Sequence, residues 1–399
     1  MVEFFKRKLK NGMTVLFEKR GLPLVSFSIT NRFGGAFEKS EVKGIAHFIE
    51  HLVFTGTKTR THEDISREIE KKGGILNAFT AQEVTSFYFK LSSEHLFSGL
   101  DILIDILKNP RFDKEKFEKE KKVILEEIKM YKDDPQKHVF ELIERAMFEK
   151  PFGEGIIGSE ETIKKMDRNF VYEYFRKNYS PENYIITVVG DCDLDKVCSH
   201  LEKNFDKIGG RYENEKIVKK NGEIIEERAG IDQVNFIFAV HAPLAGSKEY
   251  YMLNVLDAYL ADGMSSRLFL EIREKRGLVY SIKSSIIAEK GYSYYLIYAG
   301  TTRESVNDVR KIILEEFSKI SEMKEKDLKE AKERVIGLKK VESEESSGVM
   351  NTLLFCELSA GAEEYYKYDD KIRDVKLEDV KKLAKELVKE YSVAMVLPK

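Results

Sequence analysis

The sequence predicts an α+β protein of two homologous halves, each a mainly antiparallel β-sheet packed with α-helices. Three observations predict it. The chain opens with segments that alternate apolar and polar residues, the mark of half-buried strands. Long stretches with apolar residues at helical spacing follow, and then strand-like segments return after residue 230. With 399 residues, 42% of them hydrophobic, the chain can build more than one core.

In order, residues 3–9, 13–19 and 24–33 read as strands, with Asn11-Gly12 supplying hairpin chemistry between the first two. Gly34-Gly35 closes the third strand. Residues 44–56 read as a helix of about three turns ending at Gly56. Residues 62–72 read as a second helix. A glycine turn leads to a short strand at Ile75–Thr80, and Thr85–Leu91 is another. Helices are predicted at 94–108, 113–131, 134–149, 160–178 and 193–204, with a near-continuous apolar strand at Tyr184–Gly190. Residues 205–222, with Gly209-Gly210 and few apolar positions, read as a linker.

The order then restarts. Gln233–Val240 is a strand and Tyr250–Leu260 a helix ending at Asp262-Gly263. Strands follow near 278–287 and 292–300, helices near 303–321, 325–341 and 376–389, and a last strand at Ser392–Leu397. The restart predicts an internal duplication, with one half over 1–215 and the other over 216–399. Laying Gly263 on Gly56 places Asn254, Asp257 and Ala258 where His47, Glu50 and His51 stand. A metal site is therefore expected in the first half alone.

That expectation comes from Gly44–Gly56. His47 and His51 are four apart, so on a helix their side chains share one face and can chelate one ion. Glu50 lies to the side of that face, near enough to take a proton from water without being a ligand. The chain has only 7 histidines. Chance gives His-x-x-Glu-His roughly 0.01–0.02 times in a chain of this length. The bland alternative is a pair of satisfied core histidines.

A catalytic zinc takes a third protein ligand and keeps one open position. Helix 113–131 carries an apolar stripe of Phe117, Ile124, Ile128 and Tyr131. Glu127, three residues after Ile124, points toward that stripe, where an unpaired carboxylate is costly. Glu126 is turned about 100° away. Glu120, two turns before Glu127, is placed to hold a ligand histidine in orientation. Taken alone, the helix reads equally as salt-bridged surface.

Together these residues resemble the pitrilysin family of zinc peptidases, in its short prokaryotic form similar to mitochondrial processing peptidase. The carriers are His47-x-x-Glu50-His51 and a Glu120-x6-Glu127 helix with Glu127 76 residues beyond His51. The resemblance implies that His47, His51 and Glu127 bind Zn2+, that Glu50 is the general base, and that Glu120 supports. It implies that Asn77, Ala78, Phe79 and Thr80 form an edge strand whose backbone pairs with an extended peptide; an interior strand fits their composition equally well. It also covers Gly263–Phe269 and Arg273–Tyr280, implying that Arg273 and Tyr280 contact substrate and stabilise an oxyanion. Read without it, Arg273 is a surface charge and Tyr280 a strand-edge residue. The implied assembly is a homodimer closing like a clam shell, with one chain's Arg273 and Tyr280 acting in cis or in trans.

Composition narrows the rest. A net charge of −2 gives no reason for nucleic acid or an anionic membrane as partner. Cys192, Cys198 and Cys356 form no CxxC pair and no disulfide framework. The N-terminus lacks the apolar run of a signal peptide, and no apolar segment is long enough to span a bilayer, so a cytoplasmic protein is expected. The expected function is zinc-dependent endopeptidase activity on peptides enclosed in a chamber. Its rivals are a catalytically silent partner subunit and a module with structural zinc. The second of these suits cysteine-rich sites, and no cysteine lies before residue 192.

Overall fold

The Asn11-Gly12 turn, with Gly12 at φ +92°, folds β1 (Glu3–Lys8) back on β2 (Thr14–Lys19) as an antiparallel pair. The computed structural model describes residues 3–206 and 215–399. β3 (Leu24–Asn31), β4 (Ile75–Thr80), β5 (Thr85–Ser92) and β6 (Tyr184–Gly190) complete this sheet in the order β1-β2-β6-β3-β5-β4. Only β2 and β6 run parallel. β6 is buried at every position, which is what an unbroken apolar run needs.

The second sheet holds β7 (Glu223–Arg228), β8 (Val234–His241), β9 (Val279–Ala288), β10 (Ser293–Thr301) and β11 (Ser392–Pro398). Its order is β7-β11-β8-β10-β9, again with one parallel pair, β7 with β11. Without β1, the first sheet has the same order: first strand, last, second, fourth, third. The restart read in the sequence is thus present in the strand pairing.

The helices in chain order begin with α1 (Ile45–Val53), α2 (His62–Glu70), α3 (Leu96–Lys108), α4 (Lys114–Asp133) and α5 (Pro135–Met147). Then come α6 (Glu160–Lys165), α7 (Arg168–Asn178), α8 (Leu194–Asn204), α9 (Lys248–Leu260) and α10 (Val306–Ser318). The last are α11 (Glu325–Glu342), α12 (Ser346–Ser359), α13 (Glu364–Arg373) and α14 (Leu377–Leu387). None among the described residues is long and apolar enough to cross a membrane.

The chain forms two compact units, each with its own apolar core. The first takes the described parts of 1–130, 154–216 and 344–354; the second takes 131–153, 217–343 and 355–399. α5, from the first half of the sequence, belongs to the second unit. There its His138 Nε2 lies 2.8 Å from Glu226 on β7, and Tyr294 of β10 donates to Glu144 at 2.8 Å. The start of α12 belongs to the first unit, where Glu345 accepts from Lys90 of β5.

Several local expectations differ. Residues 160–178 break into α6 and α7, because the Asp167 carboxylate caps a new helix, accepting from Asn169 and Phe170 N–H at 2.9 and 3.1 Å. β7 went unread: it is an edge strand with only Ile224 and Ile225 as apolar residues, defined by its pairing with β11. α12 and α13 also went unread; α12 opens on Ser-Ser-Gly and α13 is mostly charged and tyrosine, so neither shows a clear apolar period. Phe269–Glu274 winds as π-helix. Of the predicted linker, residues 207–214 lie outside the described residues.

Candidate metal centre

α1 is apolar on most sides, with Ile45, Ala46, Phe48, Ile49, Leu52 and Val53 buried. It leaves one polar face, carrying His47, Glu50 and His51. A buried carboxylate fixes its start. Glu38 accepts from the N–H groups of Gly44 at 3.0 Å and Ala46 at 2.7 Å, so it caps α1 from outside the helix. Burial pushes the Glu38 pKa up to about 7, against the pull of Lys43 and the two N–H donors. Lys43, equally buried, donates to the Gly35 carbonyl at 2.6 Å and lies 3.9 Å from Glu38. Nothing in the periodicity of 44–56 points to Glu38, which precedes the helix.

α4 is brought to α1 by Phe48 stacking on Phe117 with ring centroids 4.9 Å apart. Phe117 and Ile124 are its two fully buried anchors, and Glu120 and Glu127 each follow one of them by three residues. Both carboxylates therefore turn inward. Glu127 is 23% exposed, whereas Glu126 is 72% exposed and paired with Lys129.

Glu127 Oε2 lies 3.7 Å from His47 Nε2 and 3.6 Å from His51 Nε2. One donor atom from each of the three residues falls within 4.8 Å of the others. Tetrahedral bonds of 2.0–2.1 Å place ligand atoms about 3.3 Å apart, so the set needs little closure to grip one ion. Among the described residues this is the one such group of histidine, cysteine and carboxylate side chains.

The charges around the donors suit a cation. Burial, then the neighbouring His51, lowers the His47 pKa to about 3, so its imidazole is neutral near pH 7. Burial works to lower the pKa of His51, but the hydrogen bond to Glu120 and the carboxylates of Glu127 and Glu50 outweigh it and raise the value. His51 Nδ1 lies 3.3 Å from Glu120 Oε2; in the neutral ring with the proton on Nδ1 it donates to that carboxylate, which leaves the Nε2 lone pair for a metal. His47 Nδ1 is buried without a hydrogen-bond partner. Two imidazole nitrogens and a carboxylate oxygen, with no thiolate, are the donor set of a catalytic rather than a structural zinc.

Glu50 accepts from the Thr80 hydroxyl at 2.5 Å. Burial raises its pKa, opposed by Thr80 and His51 and assisted by Glu127. Asn77–Thr80 form most of β4, the last strand of the first sheet, paired with β5 alone in that sheet. Asn77 is exposed there.

Arg273 and Tyr280 belong to the second unit. Arg273 is exposed, its guanidinium 4.9 Å from the Phe269 ring centre. Tyr280, the second residue of β9, has 65% of its surface exposed, and with Asp134, Gln136 and Gln233 it lines a cavity of about 520 Å³. In α9, Asp257 is the residue that aligns with Glu50 when Gly263 is laid on Gly56. It accepts from the Tyr295 hydroxyl at 2.7 Å, and burial raises its pKa to about 6. Among the described residues it belongs to no group of three or more side chains that could hold a metal ion.

Comparison with known proteins agrees with this geometry. Residues 14–160 match the model of the insulinase family, peptidase family M16, and residues 165–335 match the model described as the peptidase M16 inactive domain. The site lies wholly in the first match. An uncharacterized zinc protease of Rickettsia felis is 32% identical over 319 residues, covering 79% of this chain and 77% of that protein. The uncharacterized zinc protease YmxG of Bacillus subtilis is 30% identical over 98% of this chain and 97% of its own. Among solved structures, a protease from Helicobacter pylori superposes with a TM-score of 0.91 at 22% identity, over 100% of both chains. The chain belongs to peptidase family M16, the pitrilysin-type peptidases.

Proposed function

We propose that the protein is a zinc-dependent endopeptidase that hydrolyses peptide bonds in short or unfolded peptides, with His47, His51 and Glu127 holding the ion. The observation that carries this reading is the convergence of two imidazole nitrogens on one carboxylate oxygen, 3.7 and 3.6 Å from it, with all three donor atoms within 4.8 Å of one another, beside a half-buried Glu50. The zinc proteases named among its relatives support the choice of metal.

When bound, zinc polarises the scissile carbonyl and lowers the pKa of water from 15.7 to about 7. The chain's own residues do the rest. Glu50 takes the proton from the attacking water and returns it to the leaving amine, a role suited to a carboxylate whose pKa burial raises. Glu120 holds His51 in the tautomer that leaves Nε2 free. β4 offers its backbone to an extended peptide at Asn77–Thr80. Tyr280 and Arg273, both exposed, supply a hydroxyl and a guanidinium to the peptide and the developing oxyanion, from the same chain or from a second copy in a homodimer.

Replacing Glu50 with Gln tests the reading. The variant keeps its zinc and loses cleavage of a quenched peptide by at least about a hundredfold. Wild-type turnover in Glu50→Gln contradicts the assignment of the base. A zinc-loaded wild type that cleaves nothing in a broad peptide pool favours the silent-subunit alternative instead.

A further inference from the structure

We propose that Thr80 is the positioning residue for Glu50, its hydroxyl fixing one carboxylate oxygen so that the base stands beside the metal donors and not among them. This rests on the reading of Glu50 as general base. Glu50 sits on the same helical turn as both histidines, and a cation held there attracts any free carboxylate within reach. Left to rotate, Glu50 would compete for the position that a catalytic site keeps open for water. The Thr80 hydroxyl donates to Oε2 at 2.5 Å, the short length of a charge-assisted O–H···O⁻ bond. One oxygen is thereby occupied, and the other remains for the water proton.

The donor is itself held firmly. Side chains alternate along β4, so Thr80 shares a face with Leu76 and Ala78, which pack against the first core. Thr80 pairs with Thr85 at the closed end of the β4–β5 hairpin, and Ala81 N–H bonds the Val84 carbonyl at 2.8 Å across the loop. The loop is docked on the segment leading to α1. Gly35 N–H donates to the Ala81 carbonyl at 3.0 Å and Ala36 N–H to the Gln82 carbonyl at 2.7 Å. At Gly34 a Cβ would stand 2.2 Å from the Ala81 carbonyl oxygen, so only glycine admits this approach. A donor on a rigid, docked hairpin can set a catalytic side chain where one on a loose loop cannot. β4 is also the last strand of its sheet, so a peptide added to it lies along the strand that holds the base.

The test uses the full zinc-loaded chain and a quenched peptide cleaved by the wild type. Thr80→Val removes the hydroxyl and keeps the branched shape; Thr80→Ser restores the hydroxyl. The expected result for Val is unchanged zinc content and KM, with kcat lower by about tenfold or more. Ser recovers most of that loss. Should Val perturb folding, Thr80→Ala gives the same readout. A Val or Ala variant within about twofold of wild-type kcat overturns the proposal, as does a loss confined to KM or to zinc content. Full activity in Glu50→Gln overturns the underlying reading instead, so the two failures are distinguishable.

Discussion

At the scale of residues, the site depends on carboxylates that shape histidines. Glu120 makes no contact with the ion in this account; it fixes His51. Replacing it with Ala weakens zinc affinity by about 10–100-fold, measured by competition with a chromophoric chelator, while Glu118→Ala on the exposed side of the helix does not. Unchanged affinity in Glu120→Ala removes its orienting role. A second histidine offers a pH test away from the metal. His138 has its pKa raised by Glu141, 3.6 Å from Nδ1 at ion-pair range, and by Glu226, 2.8 Å from Nε2, against the lowering effect of burial. A raised pKa means the folded state holds the proton more tightly. The stabilisation is full below the unfolded value of about 6.5 and is lost as pH rises through the folded value. The difference in Tm between wild type and His138→Gln is therefore larger at pH 6 than at pH 8.5; equal differences at the two pH values count against the pairing.

At the scale of elements, α1 works because its position is over-determined. Its apolar sides are buried, Phe48 stacks on Phe117, and Glu38 caps its first N–H groups. Glu38→Ala removes that cap and leaves the buried Lys43 without its carboxylate, at a cost of about 3–5 kcal/mol by denaturant unfolding. A loss below 1 kcal/mol would show that the pair is incidental. Most of the candidate metal-binding group was legible because it obeys local geometry. His47 and His51 share a helix face by their spacing, and Glu127 turns inward because Ile124 does. The Glu38 cap and the Thr80 hydrogen bond were not legible, because both join segments with no common period. Thr80 was read for its backbone, and its hydroxyl went unnoticed.

At the scale of the molecule, the duplicated strand order was readable from repeated patterns, since each half replays strand, helix and hairpin in the same sequence. Which unit each helix joins was not. α5 has an apolar face that would suit either sheet, and only long-range pairing sends it to β11 and β8. The start of α12 goes the other way. The consequence is testable: cutting the chain between 215 and 216 separates each unit from a segment it needs. Fragments 1–215 and 216–399 expressed apart are expected to lack cooperative unfolding, and co-expression to restore it. Two separately cooperative fragments would argue that the exchanged segments are dispensable.

The central claim is that one ion is held jointly by α1 and α4. The direct measurement is zinc bound per chain after dialysis, by elemental mass spectrometry. The wild type and Glu50→Gln should each carry one zinc, while Glu127→Ala and His51→Ala carry essentially none. A wild-type chain without stoichiometric zinc, or a Glu127→Ala chain that keeps it, contradicts the account.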